Sequence, residues 1–112
     1  MSNKGGSRLR KAKILYVEDD PASLILVRRV LENEGYQVVS AEDGLSAIEV
    51  AERERPDLIL MDINISGLDG YEVTTKIRSI PELSETPIVA VTAATLKGDR
   101  ERALAAGCDG YI

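Results

Sequence analysis

From Lys13 onward, short unbroken apolar runs alternate with stretches in which apolar residues recur every three or four positions. Ile14-Leu15-Tyr16-Val17, Leu58-Ile59-Leu60-Met61 and Ile88-Val89-Ala90-Val91 are runs of the first kind. A strand with one wet face alternates apolar and polar residues, whereas continuous runs mark strands buried on both faces, hence a parallel sheet with helices on each side. The pattern predicts strands over 13–17, 37–40, 57–61, 87–91 and 109–112, and helices over 21–34, 44–54, 70–79 and 97–106. No internal repeat is visible, and the fold class is α/β, a doubly wound parallel sheet.

Several boundaries have a chemical cause. Asp20-Pro21 places a side-chain acceptor before a proline at the first helical position, and Leu24, Val27 and Leu31 then share one face. Gly35 stops that helix. Asp43-Gly44 serves the turn into the second helix. Asp69 with Glu72 reads as a capping box opening a helix whose Val73, Ile77 and Ile80 face inward. Pro56 and Pro87 precede or begin strands, and the last helix has three candidate starts in Thr95, Gly98 and Asp99.

Composition narrows the function. At 112 residues the chain holds one core, with 1–12 expected as a flexible polar tail and 13–112 as the domain. The formal charge of -5 argues against tight direct binding to nucleic acid or an acidic membrane surface, and no apolar run approaches membrane-spanning length. The single cysteine, Cys108, allows no internal disulfide, so a cytoplasmic setting is expected, with Cys108 a buried, inert thiol. The absence of histidine excludes Ser-His and Cys-His catalysis, histidine-bound zinc and a phosphohistidine on this chain.

Two strands end in acid. Glu18-Asp19 follow the run Ile14–Val17 and Asp62 follows the run Leu58–Met61, so in one parallel sheet three carboxylates meet at the carboxyl edge, where open α/β folds place their ligands. Such a cluster calls for a hard cation, and Mg²⁺, which uses few carboxylates and keeps several waters, fits best. Asp20 is assigned to the helix cap instead.

Ile14-Leu15-Tyr16-Val17-Glu18-Asp19-Asp20, Leu60-Met61-Asp62-Ile63-Asn64 continuing to Asp69-Gly70, Val91-Thr92-Ala93, and Ala106-Gly107-Cys108-Asp109-Gly110-Tyr111 together resemble the receiver domain of two-component response regulators. Thr95-Leu96-Lys97-Gly98-Asp99-Arg100 is most similar to single-domain regulators and to receivers attached to hybrid histidine kinases. The resemblance spans residues 13–112 and implies a flavodoxin-like five-stranded sheet in the order 2-1-3-4-5. It also implies a signalling switch rather than an enzyme. A histidine kinase or histidine phosphotransfer protein would donate a phosphoryl group to Asp62, and Mg²⁺ would be held by Glu18, Asp19, Asp62 and the Asn64 backbone carbonyl.

Thr92 matches the hydroxyl residue that moves to the phosphoryl group, and Tyr111 the aromatic that swings inward with it. Each has a plainer reading: Asp62 as a cap or loop residue, Thr92 as a hydroxyl satisfying nearby backbone, Tyr111 as a half-exposed edge-strand tyrosine. Gly70 and Gly110 are read as serving backbone geometry.

The chain departs from the family at Ser66, where a proline is usual, and in ending at Ile112, before the family's lysine and fifth helix. The sheet is therefore expected to be truncated before that helix, leaving the face around Ile14, Tyr16 and the last strand partly open beside helix 21–34. Homodimerisation or exchange of elements through that face would cover it. Two other functions are weighed: a phosphorylation-independent interaction scaffold, and an Asp-nucleophile phosphatase of the haloacid dehalogenase type. The phosphatase motif wants a second Asp where this chain has Asn64.

Overall fold

Each predicted strand forms, and all five join one parallel sheet in the order β2-β1-β3-β4-β5. The computed structural model describes residues 11–63, 70–91 and 99–111, with only the backbone of Asp99, Arg100, Arg102, Ala103 and Tyr111. The elements are β1 (Lys13–Val17), α1 (Pro21–Asn33), β2 (Gln37–Ala41), α2 (Gly44–Glu54), β3 (Leu58–Asp62), α3 (Gly70–Arg78), a 3-10 turn (Pro81–Leu83), β4 (Ile88–Val91), α4 (Asp99–Ala106) and β5 (Gly110–Tyr111). β1 is an inner strand, aligning Ile14 with Val38 on one side and with Leu58 on the other. Ile59 then aligns with Ile88, and Val89 with Gly110.

Alternation along these strands divides the core into two unequal layers. Leu15, Val17, Ile59, Met61, Ile88 and Ala90 form a closed layer with Ala47, Val50 and Ala51 of α2 and Val73 and Ile77 of α3. Each large aliphatic buried there contributes about 1.5–3 kcal/mol relative to exposure. On the opposite face Ile14, Tyr16 and Val38 are buried, while Leu58, Leu60, Val89 and Val91 are only half-buried. The covering helix is α1, yet none of its residues is fully buried: Leu24, Val27 and Leu31 are half-buried, and Ile25, Leu26 and Val30 are exposed.

The opening expected around Ile14 and Tyr16 is thus displaced onto β3 and β4. Ile14 and Tyr16 stay sealed because their strand is flanked on both sides, by β2 and β3, and α1 packs on the β2 side of that face. Arg28 pins α1 toward the β2 edge by donating to the Val38 carbonyl at 3.1 Å and to Ser40 Oγ at 3.1 Å. From Arg28, helical rotation carries Val27 and Val30 to the flank away from that edge.

Caps follow the sequence closely. Asp20 accepts from the Ser23 N–H with Pro21 at the start of α1, and Gly35 leaves that helix at φ +96. Asp43 and Ser46 close a reciprocal capping box on α2, which ends at Arg55 in the left-handed region at φ 48. The α4 helix is described from Asp99, and the other candidate starts, like the Asp69 cap, lie outside the described residues. Asp57 is not a strand residue, because its carboxylate accepts the Lys13 N–H at 2.7 Å while its own N–H bonds the Lys13 carbonyl. The last strand starts at Gly110 rather than Asp109, with Ile112 outside the described residues, and the 3-10 turn, set by Pro81, was not foreseen. Gly110 meets no special backbone demand either, since an added Cβ would make ordinary contacts 3.5 Å from Val89.

Candidate functional site

The β1–β3 register builds the site. Tyr16 aligns with Leu60 and Val17 with Met61, so one further step sets Glu18 beside Asp62 at the carboxyl edge. The Glu18 N–H extends the ladder to β2 by bonding the Ala41 carbonyl at 3.0 Å. Glu18, Asp19 and Asp62 each offer a carboxylate oxygen, and the three lie within 4.8 Å of one another. Glu18 is buried, Asp19 and Asp62 half-buried. Asp20 stays outside this group, its Oδ2 taken by the Ser23 N–H at 3.1 Å and the Ser23 hydroxyl at 2.7 Å.

Burial is the largest influence on Glu18 and pushes its carboxyl above the usual range. The Asp20 N–H and the Tyr16 hydroxyl pull it back, and the neighbouring Asp62 pushes it up again. The Tyr16 phenol is raised above its ordinary 10.0, by burial first and then by Glu18. An all-oxygen, mutually repelling donor set of this kind suits a hard divalent cation such as Mg²⁺.

Gly70 closes the other side of the site. Its N–H bonds the Ile63 carbonyl at 3.2 Å, and a Cβ there would lie 2.8 Å from the Asp62 carbonyl oxygen and 2.8 Å from Ile63 Cα. Only glycine lets α3 start this close to the end of β3. Thr74 braces the same turn by donating to the Gly70 carbonyl at 2.9 Å.

Of the residues expected from sequence, the structure brings Glu18, Asp19 and Asp62 together. Asn64, Ser66 and Thr92 lie outside the described residues. Tyr111 is placed by its backbone in β5, opposite Ala90. One participant was missed: Tyr16, whose hydroxyl donates to Glu18 Oε1 at 2.9 Å in a buried bond. The spacing of two puts Tyr16 and Glu18 on one face of the strand direction, but inside an apolar run that spacing does not single out the hydroxyl.

Comparison with known proteins agrees with this geometry. Residues 14–112 match the response regulator receiver domain. The chain is 41% identical over 99 residues to the polar-differentiation response regulator DivK of Brucella anthropi, covering 88% of this chain and 80% of that protein. It superposes with a TM-score of 0.84 on the receiver domain of a Pseudomonas aeruginosa sensor histidine kinase, at 42% identity, covering 91% of this chain and 84% of that one. That structure has a magnesium ion coordinated in its active site cleft. A BeF3-activated receiver domain of Klebsiella pneumoniae RstA gives 0.83 at 35% identity, covering 89% and 83%. With its sheet order, its acidic edge and these likenesses in agreement, the chain belongs to the response regulator receiver domain family.

Proposed function

We propose that this receiver domain, a phospho-acceptor switch, takes its phosphoryl group on Asp62 from a histidine kinase or a histidine phosphotransfer protein. The observation that carries this reading is the meeting of Glu18, Asp19 and Asp62 at the carboxyl edge of the sheet. Asp62 is the carboxylate at the end of β3, aligned with Val91 on the next strand. One Asp62 oxygen attacks phosphorus, an O–P bond forms as the donor's N–P bond breaks, and the electron pair leaves on the donor's imidazole. The product is a mixed anhydride.

Glu18, Asp19, Asp62 and the Asn64 carbonyl would hold Mg²⁺, which when bound neutralises charge on the transferring oxygens. Glu18 and Asp19 also keep other anions from the site when no cation is present. Thr92 and Tyr111 carry the change outward to a surface read by a partner. A cytoplasmic setting suits this chemistry, and no described helix is long and apolar enough to cross a membrane. Self-association, by dimerisation or exchange of elements, uses the half-buried face of Leu58, Leu60, Val89 and Val91.

Incubation with acetyl phosphate and magnesium tests the assignment. Intact-mass measurement should find one added phosphoryl group, absent from Asp62→Asn. Label persisting in that variant would remove Asp62 from the role. Sustained turnover of phosphomonoesters would favour a phosphatase, and no modification at all would favour a phosphorylation-independent scaffold.

A further inference from the structure

Tyr16 has no place in the chemistry above, yet its hydroxyl is the group that meets Glu18 from inside the protein. The side chain is 3% exposed, on the apolar sheet face where Ile14 and Val38 are also buried. A hydroxyl in such a layer is unfavourable unless bonded, and an aliphatic residue would fill the space without that requirement. The bond it makes is to Glu18 Oε1, at 2.9 Å. The other oxygen, Oε2, accepts the Asp20 N–H at 3.1 Å from the loop side. Glu18 is therefore restrained at both oxygens, from the strand and from the loop. Each carboxylate oxygen can accept twice, so these two bonds leave acceptor capacity at each oxygen.

We infer that Tyr16 is a positioning residue for the metal site, holding Glu18 in the orientation from which it serves a divalent cation. This rests on the reading of the acidic cluster as the magnesium site. A free glutamate must fix three side-chain torsions on binding, and that ordering opposes association. The Tyr16 bond fixes them beforehand. Partners of this kind, one step behind a metal ligand, typically change affinity by 10–100-fold when removed.

Calorimetric titration with magnesium chloride tests the inference on the parent, Tyr16→Phe, Glu18→Ala, Tyr16→Phe/Glu18→Ala and Asp19→Asn. Tyr16→Phe keeps the ring and should bind magnesium about tenfold more weakly, with its metal-free melt and circular dichroism little changed. In the Glu18→Ala background, the Tyr16→Phe change should have no further effect. A merely structural tyrosine would lower the melt and leave affinity alone.

The chain has four tyrosines and no tryptophan, so near-ultraviolet tyrosine absorbance gives a second readout on the parent itself. Magnesium should perturb a tyrosine signal that Tyr16→Phe lacks. Parent-like affinity in Tyr16→Phe, a tenfold loss that persists without Glu18, or no metal-linked tyrosine signal overturns the inference. If the parent binds magnesium and Asp19→Asn does not, such a failure touches Tyr16 alone. If the parent itself binds none, the metal-site reading fails and the positioning role falls with it.

Discussion

A carboxylate buried beside another carboxylate favours the proton it would ordinarily give up, and Glu18 is in that position. Its folded value lies above the ordinary 4.5, so its contribution to stability is complete below that pH and is lost as pH rises through the folded value. Asp20, Asp43 and Glu54 are shifted the other way by their hydrogen bonds. Their contributions hold above their unfolded values and disappear only as pH falls through the lower folded values. In chelator, thermal melts from pH 5 to pH 8 should therefore show the parent losing ground to Glu18→Gln as pH rises. Millimolar magnesium should restore about 1–3 kcal/mol to the parent at pH 8 if it lies well above the dissociation constant, and less to the variant. A pH-independent gap between the two would contradict the assignment. At this scale the acids were legible because each ends an apolar run, and Gly70 because a turn follows β3. Tyr16 was not, because an apolar run hides a hydroxyl until its face and neighbours are known.

Helix ends were readable for a related reason: caps are local. Asp20-Pro21, Gly35 and Asp43 act on backbone groups within a few residues, and the structure uses each as the sequence suggested. Arg78 is the opposite case. At the end of α3, its guanidinium donates to the Gly107 carbonyl at 2.9 Å, to the Leu83 and Ser84 carbonyls at 3.3 and 3.2 Å, and to the Thr86 carbonyl. It also pairs with Asp109, whose Oδ2 accepts the Ile88 N–H at 2.9 Å. One side chain thereby fastens α3, the 3-10 turn, the start of β4 and the approach to β5. No periodicity announces this, since its partners are mostly carbonyls set near it only by folding. Arg78→Lys keeps the charge but loses the planar fork, and should cost about 2–4 kcal/mol in urea melts. A loss under about 0.5 kcal/mol would mean that water replaces these bonds freely.

For the molecule as a whole, periodicity indicated buried parallel strands, but their order came from the family resemblance, because two-faced burial looks alike in every inner strand. The placement of the open face also escaped, as it depends on how the helices seat on the assembled sheet. That face should be visible in solution. Leu58, Leu60, Val89 and Val91 are only half-buried and α1 exposes Leu26 and Val30, and apolar patches of several hundred square ångströms are uncommon on monomers. Sedimentation across a concentration series should show reversible self-association of the 112-residue chain, weakened by Leu60→Glu. A monomer at all concentrations would show that the half-buried face needs no cover.

The inner position of β1 has a consequence in time as well as in space. Glu18 and Asp62 come together only when β1 docks on β3, so their repulsion opposes sheet assembly itself. Pairings between strands remote in sequence already slow folding, and this one carries a charge penalty where the ladder ends. If β1–β3 docking is part of the folding nucleus, neutralising Asp62 should appear in stopped-flow kinetics as faster refolding with nearly unchanged unfolding. The same acidic edge that prepares the domain for phosphoryl chemistry would then act as a brake on its own formation.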